Sequence, residues 1–398
     1  MRADSPLAGR RIWLVGIGGA GLSAYGLLAD AWGAEVGGWD RNETPYLAAV
    51  RAAGLEVRVS PEPEVPAGWE VFVSSAYPSV AGRPRAELLA ELVSLRESIV
   101  VAGAHGKTTT AAMIAFALRE TGGDPSWIVG GEVPQLGANA GAGGGWLVVE
   151  GDESDRSVAA LRPRIAVVTN VGLDHHSEFA SQEEVAALFD EWLAQVPEVV
   201  RGWELAPVEF DLLVPGEHNR RNAAAALAAL ELAGAERAEA ATALVRFEGV
   251  GRRFELVGEA RGISVYDDYA HNPAKVAAAI ATARARAEGR VLVLFQPHLY
   301  SRTRHVGAEL GRELAAADVV AVADVYPARE QPIDGVSGKL VVDAIVDARP
   351  GFVPGWTPEL GDAVRFLAGR ARPGDLVLTL GAGDVDRAAR RVLAELEA

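Results

Sequence analysis

Short apolar runs that alternate with helical stretches are the feature that most constrains the fold of this chain. Each run has the length and composition of a β-strand, and the stretch that follows it is long enough for a helix. Strands that alternate with helices form parallel sheets through right-handed crossovers. The sequence therefore predicts an α/β protein with strands at residues 11–15, 35–39, 56–59, 71–74, 99–103, 146–150, 165–169, 263–266, 291–295, 319–322 and 376–380.

Length and composition limit the classes of protein further. A chain of 398 residues is too long for one ordinary hydrophobic core, so two or three domains are expected. Its 38 basic and 54 acidic residues give a net charge of −16, so we expect neither a nucleic-acid partner nor attraction to an anionic membrane. The absence of cysteine excludes a disulfide scaffold, a thiolate nucleophile and a cysteine-ligated metal.

The first apolar stretch could be mistaken for an export signal. Residues 12–29 carry no charge and follow Arg10 and Arg11, as in a twin-arginine signal. The stretch is rich in glycine, however, whereas a membrane-inserting segment is more uniformly apolar. We interpret it as a strand, a turn and a helix, and expect a cytoplasmic protein without membrane insertion.

The first glycine-rich loop follows the first predicted strand. Residues 16–21 read GIGGAG, which fits G-x-G-x-x-G, and Asp40 ends the next strand about twenty residues further on. Small residues let the N–H groups of a helix N-terminus approach a diphosphate, and the carboxylate accepts a ribose hydroxyl. NAD and UDP share both features, so the loop alone leaves either ligand open.

The second glycine-rich loop carries a stronger signal. Residues 103–110 read GAHGKTTT between a strand and a helix, as in a phosphate-binding loop, although Val101 stands where the first glycine is usual. The chain has only three lysines, so a lysine at this place is a specific feature. We expect the Lys107 ammonium to bind the β- and γ-phosphates of a nucleotide and the Thr108 hydroxyl to bind Mg²⁺.

Acidic and histidine-bearing segments follow two more strands of the same region. Residues 150–155 read EGDESD, and Asn170, Asp174, His175 and His176 follow the next strand. Carboxylates at a strand end beside a phosphate loop are suited to bind Mg²⁺ or to position water. The sequence predicts ligand roles for these segments.

Polar segments in the second half suggest a further site. Asn219 and Asn222 either cap a helix predicted from 222 to about 233 or present amides to a base. Arg252 and Arg253 open a third unit, in which residues 267–273 and 296–304 each follow a strand. Sites in open α/β sheets form beyond the carboxyl ends of strands, so we expect these two segments to share one crevice.

In this order the motifs resemble those of the Mur ligases, and most closely those of the member that adds L-alanine. The resemblance covers nearly the whole chain: GIGGAGLS, SSAYPS, GAHGKTTTAAMI, EGDESD, VVTNVGLDHH, GEHNRRNAAAA, GVGRRFELVG, DDYAHNP, FQPHLYSRTR, DVYPARE and GAGDV. It implies a Rossmann-like UDP-sugar-binding domain over residues 1–97, a central P-loop ATPase α/β domain over 98–247 and a C-terminal Rossmann-like domain for the amino acid over 248–398.

The resemblance also implies roles for the residues that match its motifs. The UDP-sugar would be bound by Gly16, Gly18, Gly19, Ala20, Gly21, Ser23, Asp40, Ser74 and Ser75. ATP would be bound by Gly103, Ala104, His105, Gly106, Lys107, Thr108, Thr109, Asn219 and Asp268. Mg²⁺ would be held by Thr108, Glu150 and His175, and L-alanine by Tyr269, His271 and Arg302. The implied catalytic residues are Lys107, His175, Arg253 and His271, with Arg253 at the transferring phosphoryl group and the two histidines as candidate bases.

The implied activity is ATP-dependent addition of L-alanine to UDP-N-acetylmuramate through an acyl phosphate, in peptidoglycan precursor synthesis, by a monomer or homodimer. The chain departs from the family at Leu299, where arginine is usual, at Asn272, where a second histidine is usual, and in the shorter stretch 176–216. No lysine lies between Lys107 and Lys275, which excludes a carbamoylated lysine as a metal ligand in the central domain. Alternatives are a murein-peptide ligase acting on the same UDP-muramic acid, an NAD-dependent oxidoreductase and a non-catalytic binding protein.

Overall fold

The computed structural model describes residues 5–153, 156–172, 179, 181–328 and 330–398. Within these ranges the chain forms three β-sheets flanked by helices. Its backbone contacts divide it into two compact units, Met1–Val250 and Gly251–Ala398.

The first sheet lies at the start of the first unit. Its elements in chain order are β1 (Arg11–Val15), α1 (Ala20–Ala31), β2 (Glu35–Asp40), α2 (Pro45–Ala52), β3 (Glu56–Val59), β4 (Glu70–Val73), β5 (Arg83–Pro84) and α3 (Arg85–Ser94). The described strands are all parallel, in the order β3-β2-β1-β4-β5. The chain moves outward in opposite directions from β1, so a crevice forms beyond the carboxyl ends of β1 and β4.

The second sheet contains the loop that the sequence predicts to bind phosphate. Its elements are β6 (Ser98–Ala102), α4 (Lys107–Glu120), β7 (Ser126–Ile128), β8 (Ala140–Gly141), β9 (Leu147–Glu150), β10 (Ile165–Val168), α5 (Gln182–Leu193), β11 (Glu198–Arg201), α6 (Glu217–Leu232) and α7 (Arg237–Val245), with 3₁₀ turns at Ser157–Ala160 and Gly202–Glu204. The order is β11-β10-β6-β9-β7-β8, and only the β7–β8 pairing among the described strands is antiparallel. β6 is therefore central, with β10 and β9 on its two sides.

Alternation along β6 explains why the first two sheets form one unit. Ile99 and Val101 face a core made with α4, α6 and α7. Val100 and Ala102 face the opposite way, into a core that also contains apolar residues of α1, α3 and α5. α1 also packs against β7 and β8. The two sheets thus share a continuous apolar core.

The second unit is built around the third sheet. Its elements are β12 (Glu255–Ala260), β13 (Ile263–Asp268), α8 (Pro273–Arg286), β14 (Val291–Phe295), α9 (Tyr300–Leu314), β15 (Val319–Val322), α10 (Lys339–Ala348), β16 (Gly355–Trp356), α11 (Leu360–Ala368), β17 (Leu376–Leu380) and α12 (Asp386–Glu397). The order is β12-β13-β17-β14-β15-β16, with β12 antiparallel to β13. β17 lies between β13 and β14, so the polar segments that follow β13, β14 and β17 meet at one edge.

The predicted α/β class is confirmed, and the described residues form three sheets. The structure differs from the sequence prediction in the start of one helix and in several unpredicted strands. The helix predicted from residue 222 begins at Glu217, because Gly216 with φ of +101° ends the preceding loop. The antiparallel strand β12 was not predicted, since its half-exposed sequence lacks an apolar run. The strands β5, β7, β8, β11 and β16 were not predicted because each has only two to four residues. The domain boundaries at 97/98 and 247/248 stay a prediction. Among the described helices, none is both long and apolar enough to cross a membrane.

Candidate active site

The predicted phosphate-binding loop joins the central strand β6 to α4. Gly103 and Gly106 have φ of +125° and +81°, a region that L-residues rarely adopt. A Cβ on Gly103 would stand 2.7 Å from the carbonyl oxygen of Asn170. A Cβ on Gly106 would stand 3.0 Å from Cγ of Asn222, and closer still to its Oδ1. Both glycines are therefore required by conformation and by space.

Residues that follow β10 hold this loop in place. The backbone N–H of His105 donates to Asn170 Oδ1 at 3.0 Å, and Asn170 Nδ2 donates back to His105 O at 2.8 Å. The Thr169 hydroxyl donates to the same carbonyl at 2.5 Å. These hydrogen bonds fix the loop conformation, and Thr108 and Thr109 are buried in the first turn of α4.

Lys107 forms a buried ion pair with Glu153. Its Nζ lies 2.9 Å from Glu153 Oε2 and 3.0 Å from Oε1, and it donates to Gly103 O at 2.7 Å. The two side chains are 14% and 3% exposed. Burial opposes the charge of Lys107, but the nearby carboxylates, Glu153 first, outweigh burial and raise its pKa. Lys107 is therefore a fixed positive charge at the loop.

Glu150 and Thr108 supply oxygen atoms near the same loop. Glu150 ends β9, and its Oε2 accepts from the N–H of Gly130 at 2.8 Å. Oxygen donors of this kind suit Mg²⁺, which commonly completes its shell with phosphate oxygens and water. No three His, Asp or Glu side chains within the described ranges are grouped closely enough to hold a metal by themselves. The third predicted ligand, His175, lies outside the described residues.

The two predicted amides lie inside α6 rather than at its cap. Asn219 Nδ2 donates to Pro215 O at 2.7 Å, and Asn222 Nδ2 donates to Asn219 Oδ1 at 3.2 Å. Asn222 also lies against Gly106, as the limited space around that glycine indicates. The capping interpretation is wrong in detail, and the pair instead joins the start of α6 to the phosphate loop.

The first glycine loop is braced by Asp40. The N–H of Gly18 donates to Asp40 Oδ2 at 2.8 Å, and the Tyr77 hydroxyl donates to Oδ1 at 3.0 Å. Thr44 Oγ1 donates to Gly18 O at 2.8 Å. Burial, followed by the charge of Asp40, raises the pKa of Tyr77. Asp40 therefore shapes the loop through Oδ2, while its Oδ1 is engaged by Tyr77.

The other predicted UDP-sugar residues surround the start of α1. Gly16 has φ of +95°, and a Cβ there would stand 2.8 Å from that of Ser74. Gly19 caps α1, which begins with Ala20 and Gly21. The Ser23 hydroxyl donates to Ala20 O at 3.1 Å, so it is used inside the helix. Ser75, next to Ser74, is exposed.

Arg85 connects this loop to the acidic segment. A Cβ on Gly21 would stand 3.1 Å from Arg85 Nη1, and Arg85 Nη2 lies 3.8 Å from Asp152 Oδ2. Asn139 Nδ2 donates to Ala20 O at 3.4 Å. The glycine loop of the first sheet and the segment after β9 thus meet within the first unit. Nothing in the local sequence of Arg85 pointed to this position.

In the second unit, two adjacent aspartates end β13 with different partners. Asp267 accepts from Arg252 Nε at 3.1 Å and from the Thr379 hydroxyl at 2.5 Å. Asp268 accepts from the backbone N–H groups of Phe254 and Ala270 at 2.8 and 2.7 Å. Burial raises the pKa of Asp268 to about 6, against the opposing influence of Arg253.

The predicted amino-acid residues Tyr269 and His271 lie together beside two guanidinium groups. Arg252 and Arg253 both lie over the Tyr269 ring, with their Cζ atoms 5.2 and 5.1 Å from its centroid. His271 Nδ1 lies 2.8 Å from Tyr269 O, which can only accept, so the neutral ring carries its lone pair on Nε2. The arrangement gives His271 a defined tautomer.

Arg302 belongs to a neighbouring cluster at the start of α9. Arg302 Nη1 donates to His298 Nδ1 at 3.2 Å, and the rings of His298 and His271 lie 6.3 Å apart. Burial, followed by the charge of Arg302, lowers the pKa of His298 to about 4. The segments 267–273 and 296–304 therefore lie side by side, and the crevice between them stays a prediction. Glu330, which accepts from the Ser301 N–H at 2.9 Å, was missed although its motif was noted.

Leu299 occupies a strained backbone position in this cluster. It precedes α9 with φ of +70°, a region that favours glycine. Its N–H donates to Tyr326 O at 2.9 Å, and its carbonyl accepts from the Thr303 hydroxyl at 2.8 Å. Strained residues of this kind persist where surrounding contacts fix them, often at functional sites.

The chain resembles known proteins over nearly its full length. Residues 101–202 match the Mur ligase middle domain, and residues 252–383 match the Mur ligase, glutamate ligase domain. The UDP-N-acetylmuramate--L-alanine ligase of Renibacterium salmoninarum is 40% identical, with 96% of this chain and 95% of that protein covered. The protein of the same name from Rubrobacter xylanophilus is 39% identical, over 97% of this chain and 100% of that protein. The first alignment spans 450 positions, more than this chain's 398 residues, so that relative has segments absent here.

Solved structures give the same result. The UDP-N-acetylmuramate-alanine ligase MurC from Thermotoga maritima matches with a TM-score of 0.80 and 26% identity, over 96% of this chain and 98% of that chain. A murein peptide ligase from Psychrobacter arcticus matches with a TM-score of 0.66 and 22% identity, over 98% and 99%, and supports the fold alone. Because two Mur ligase domains match and relatives near 40% identity cover almost the whole chain, the chain belongs to the Mur ligase family.

Proposed function

We propose that this protein joins L-alanine to UDP-N-acetylmuramate, with ATP converted to ADP and phosphate. The observation that carries the proposal is the full-length similarity, near 40% identity, to proteins named for this reaction. The phosphate-binding loop with its single lysine supports the use of ATP. The reaction would serve peptidoglycan precursor synthesis in the cytoplasm, by a monomer or a homodimer.

The first chemical step must activate a carboxylate. Delocalised negative charge makes the lactyl carboxylate of UDP-N-acetylmuramate a poor electrophile, so its oxygen would attack the γ-phosphorus of ATP and ADP would leave. Lys107 would stabilise negative charge on the phosphates, with Arg253 as a second cation at the transferring group. Mg²⁺, held by Thr108, Glu150 and His175, would supply further positive charge against the phosphate oxygens.

The second step would form the amide bond. The neutral amine of L-alanine would attack the acyl carbon, and the tetrahedral intermediate would expel phosphate. Arg302 is the natural partner for the alanine carboxylate because its planar guanidinium can form two parallel hydrogen bonds. His271, with a lone pair on Nε2 in its neutral form, is the candidate base that the geometry supports.

Substrate recognition would use the remaining predicted residues. The N–H groups at the start of α1 would bind the UDP diphosphate, which can approach closely because Gly16, Gly18, Gly19 and Gly21 have no side chains. Ser74 and Ser75 would line the same crevice. Asn219 would face adenine and Asp268 the ATP ribose, with Tyr269 beside the amino acid.

The direct test is formation of UDP-N-acetylmuramoyl-L-alanine, detected by mass spectrometry together with ADP release. The wild-type protein should form the product only when all three substrates are present, and Lys107→Ala should abolish it. Lys339→Ala is the matched control, because Lys339 forms an exposed ion pair with Asp343 on α10. Unchanged turnover in Lys107→Ala would refute the assignment of the phosphate loop.

A further inference from the structure

Glu153 holds Lys107 in a manner that nucleotide binding must change. An ammonium group has three protons to donate, and three acceptors already lie within 3.0 Å of Lys107 Nζ. One acceptor is the carbonyl of Gly103, whose position is tied to the conformation of the loop itself. The other two are the oxygens of Glu153. A phosphate oxygen can therefore reach this ammonium only if the Glu153 carboxylate gives way.

We propose that Glu153 is the resting counter-ion of Lys107 and is exchanged for nucleotide phosphate when ATP binds. The inference rests on the proposed function, since it assigns Lys107 to the phosphates. Glu153 is 3% exposed, and a buried carboxylate is costly unless a cation compensates it. Lys107 provides that compensation in this structure. Glu153 is thus a positioning residue that acts through Lys107.

The exchange makes nucleotide binding depend on the cation that accompanies the phosphates. Glu150 and Asp152 also act on the Lys107 ammonium, so three carboxylates surround one positive charge. A metal-free nucleotide adds phosphate charge beside these carboxylates and competes with Glu153 for the Lys107 ammonium. A nucleotide that carries Mg²⁺ brings compensating charge with it. The carboxylate of Glu153 therefore disfavours metal-free nucleotide in particular.

Calorimetric titration with ADP, in EDTA and in excess Mg²⁺, tests this inference. In EDTA, Glu153→Gln should bind ADP about tenfold more tightly than wild type, because one charge-assisted interaction no longer competes. In Mg²⁺ the difference should shrink to about twofold or less. Glu153→Asp keeps the charge and should keep the wild-type dependence on Mg²⁺. Glu198→Gln, which removes a carboxylate from an exposed pair with Arg164, should change neither affinity.

A double-variant cycle shows whether Glu153 acts through Lys107. In a Lys107→Met background, Glu153→Gln should no longer tighten ADP binding, since the competition for the ammonium is gone. Equal or weaker binding by Glu153→Gln in EDTA would overturn the exchange, as would an undiminished effect in the Lys107→Met background. Failure of wild type to bind ADP under either condition would instead refute the proposed function, and the exchange with it.

Discussion

Gly106 offers a sharp test of how the phosphate loop is built, because the same helix has a matched glycine at its other end. Gly106 precedes α4 and Gly122 follows it, and both have φ of +81°. A Cβ on Gly122 would meet nothing within 4 Å, whereas one on Gly106 would collide with Asn222. Replacing each by alanine therefore separates backbone strain from steric overlap.

The expected magnitudes follow from these two contributions. Gly122→Ala should lower the free energy of unfolding by about 1–2 kcal/mol, because alanine must adopt a left-handed conformation. Gly106→Ala should lower the free energy of unfolding by about 1–2 kcal/mol more than Gly122→Ala, because Asn222 must move and its hydrogen bond to Asn219 is disturbed. For a unit of this size the total corresponds to a decrease in Tm of about 5–15 °C.

The assay combines thermal unfolding with ADP titration. Since the chain has more than one unit, midpoints of the first transition should be compared rather than a single free energy of unfolding. Gly106→Ala should also weaken ADP binding by more than about tenfold, while Gly122→Ala keeps it within about twofold. Equal losses of Tm in the two variants, with ADP binding intact in both, would refute the steric argument.

Three further predictions concern the remaining parts of the site. Asp40→Asn should lower Tm and weaken binding of UDP in titrations by about tenfold, because the loop loses a charged acceptor, whereas Glu35→Gln at the exposed end of β2 should do neither. Because the pKa of His298 is lowered to about 4 in the folded protein, the free energy of unfolding should decrease as pH falls from about 6.5 toward 4. His298→Gln should therefore make Tm less dependent on pH over that range. A His298 imidazole that titrates near 6.5 by NMR would contradict this. Arg302→Lys should raise the KM for L-alanine about tenfold and leave the KM for ATP within about twofold. Arg312→Lys, on the exposed side of α9, should change neither KM value. An unchanged KM for L-alanine in Arg302→Lys would count against the carboxylate role.

The sequence was sufficient to predict eleven of the 17 described strands and the loops that follow the central ones. Apolar runs such as Ile99–Val101 and Val291–Phe295 are buried on both faces, so their composition alone marks them as central parallel strands. Glycine spacing located the two glycine-rich loops for a similar reason, since a glycine such as Gly106 has no room for a side chain. Burial of a strand and the need for glycine at a turn are properties of single positions, so the local sequence can reveal them.

The partners of the predicted residues could not be foreseen in the same way. Glu153 stood in an acidic segment in which any carboxylate could have faced the loop, and only the chain path after β9 selects it for Lys107. Arg85 meets Gly21 and Asp152 across large sequence separations. Such pairs depend on how β5 and β9 are placed in their sheets, and no local pattern records that placement.

The amino acid that is joined to the UDP-sugar is the most specific part of the proposed function. The most direct measurement is ADP release with UDP-N-acetylmuramate and ATP present, across a panel of amino acids and the murein tripeptide. We predict release with L-alanine and product formation that requires the UDP-sugar. Release driven by the tripeptide and not by L-alanine, or no release with any acceptor while ADP still binds, would contradict the account.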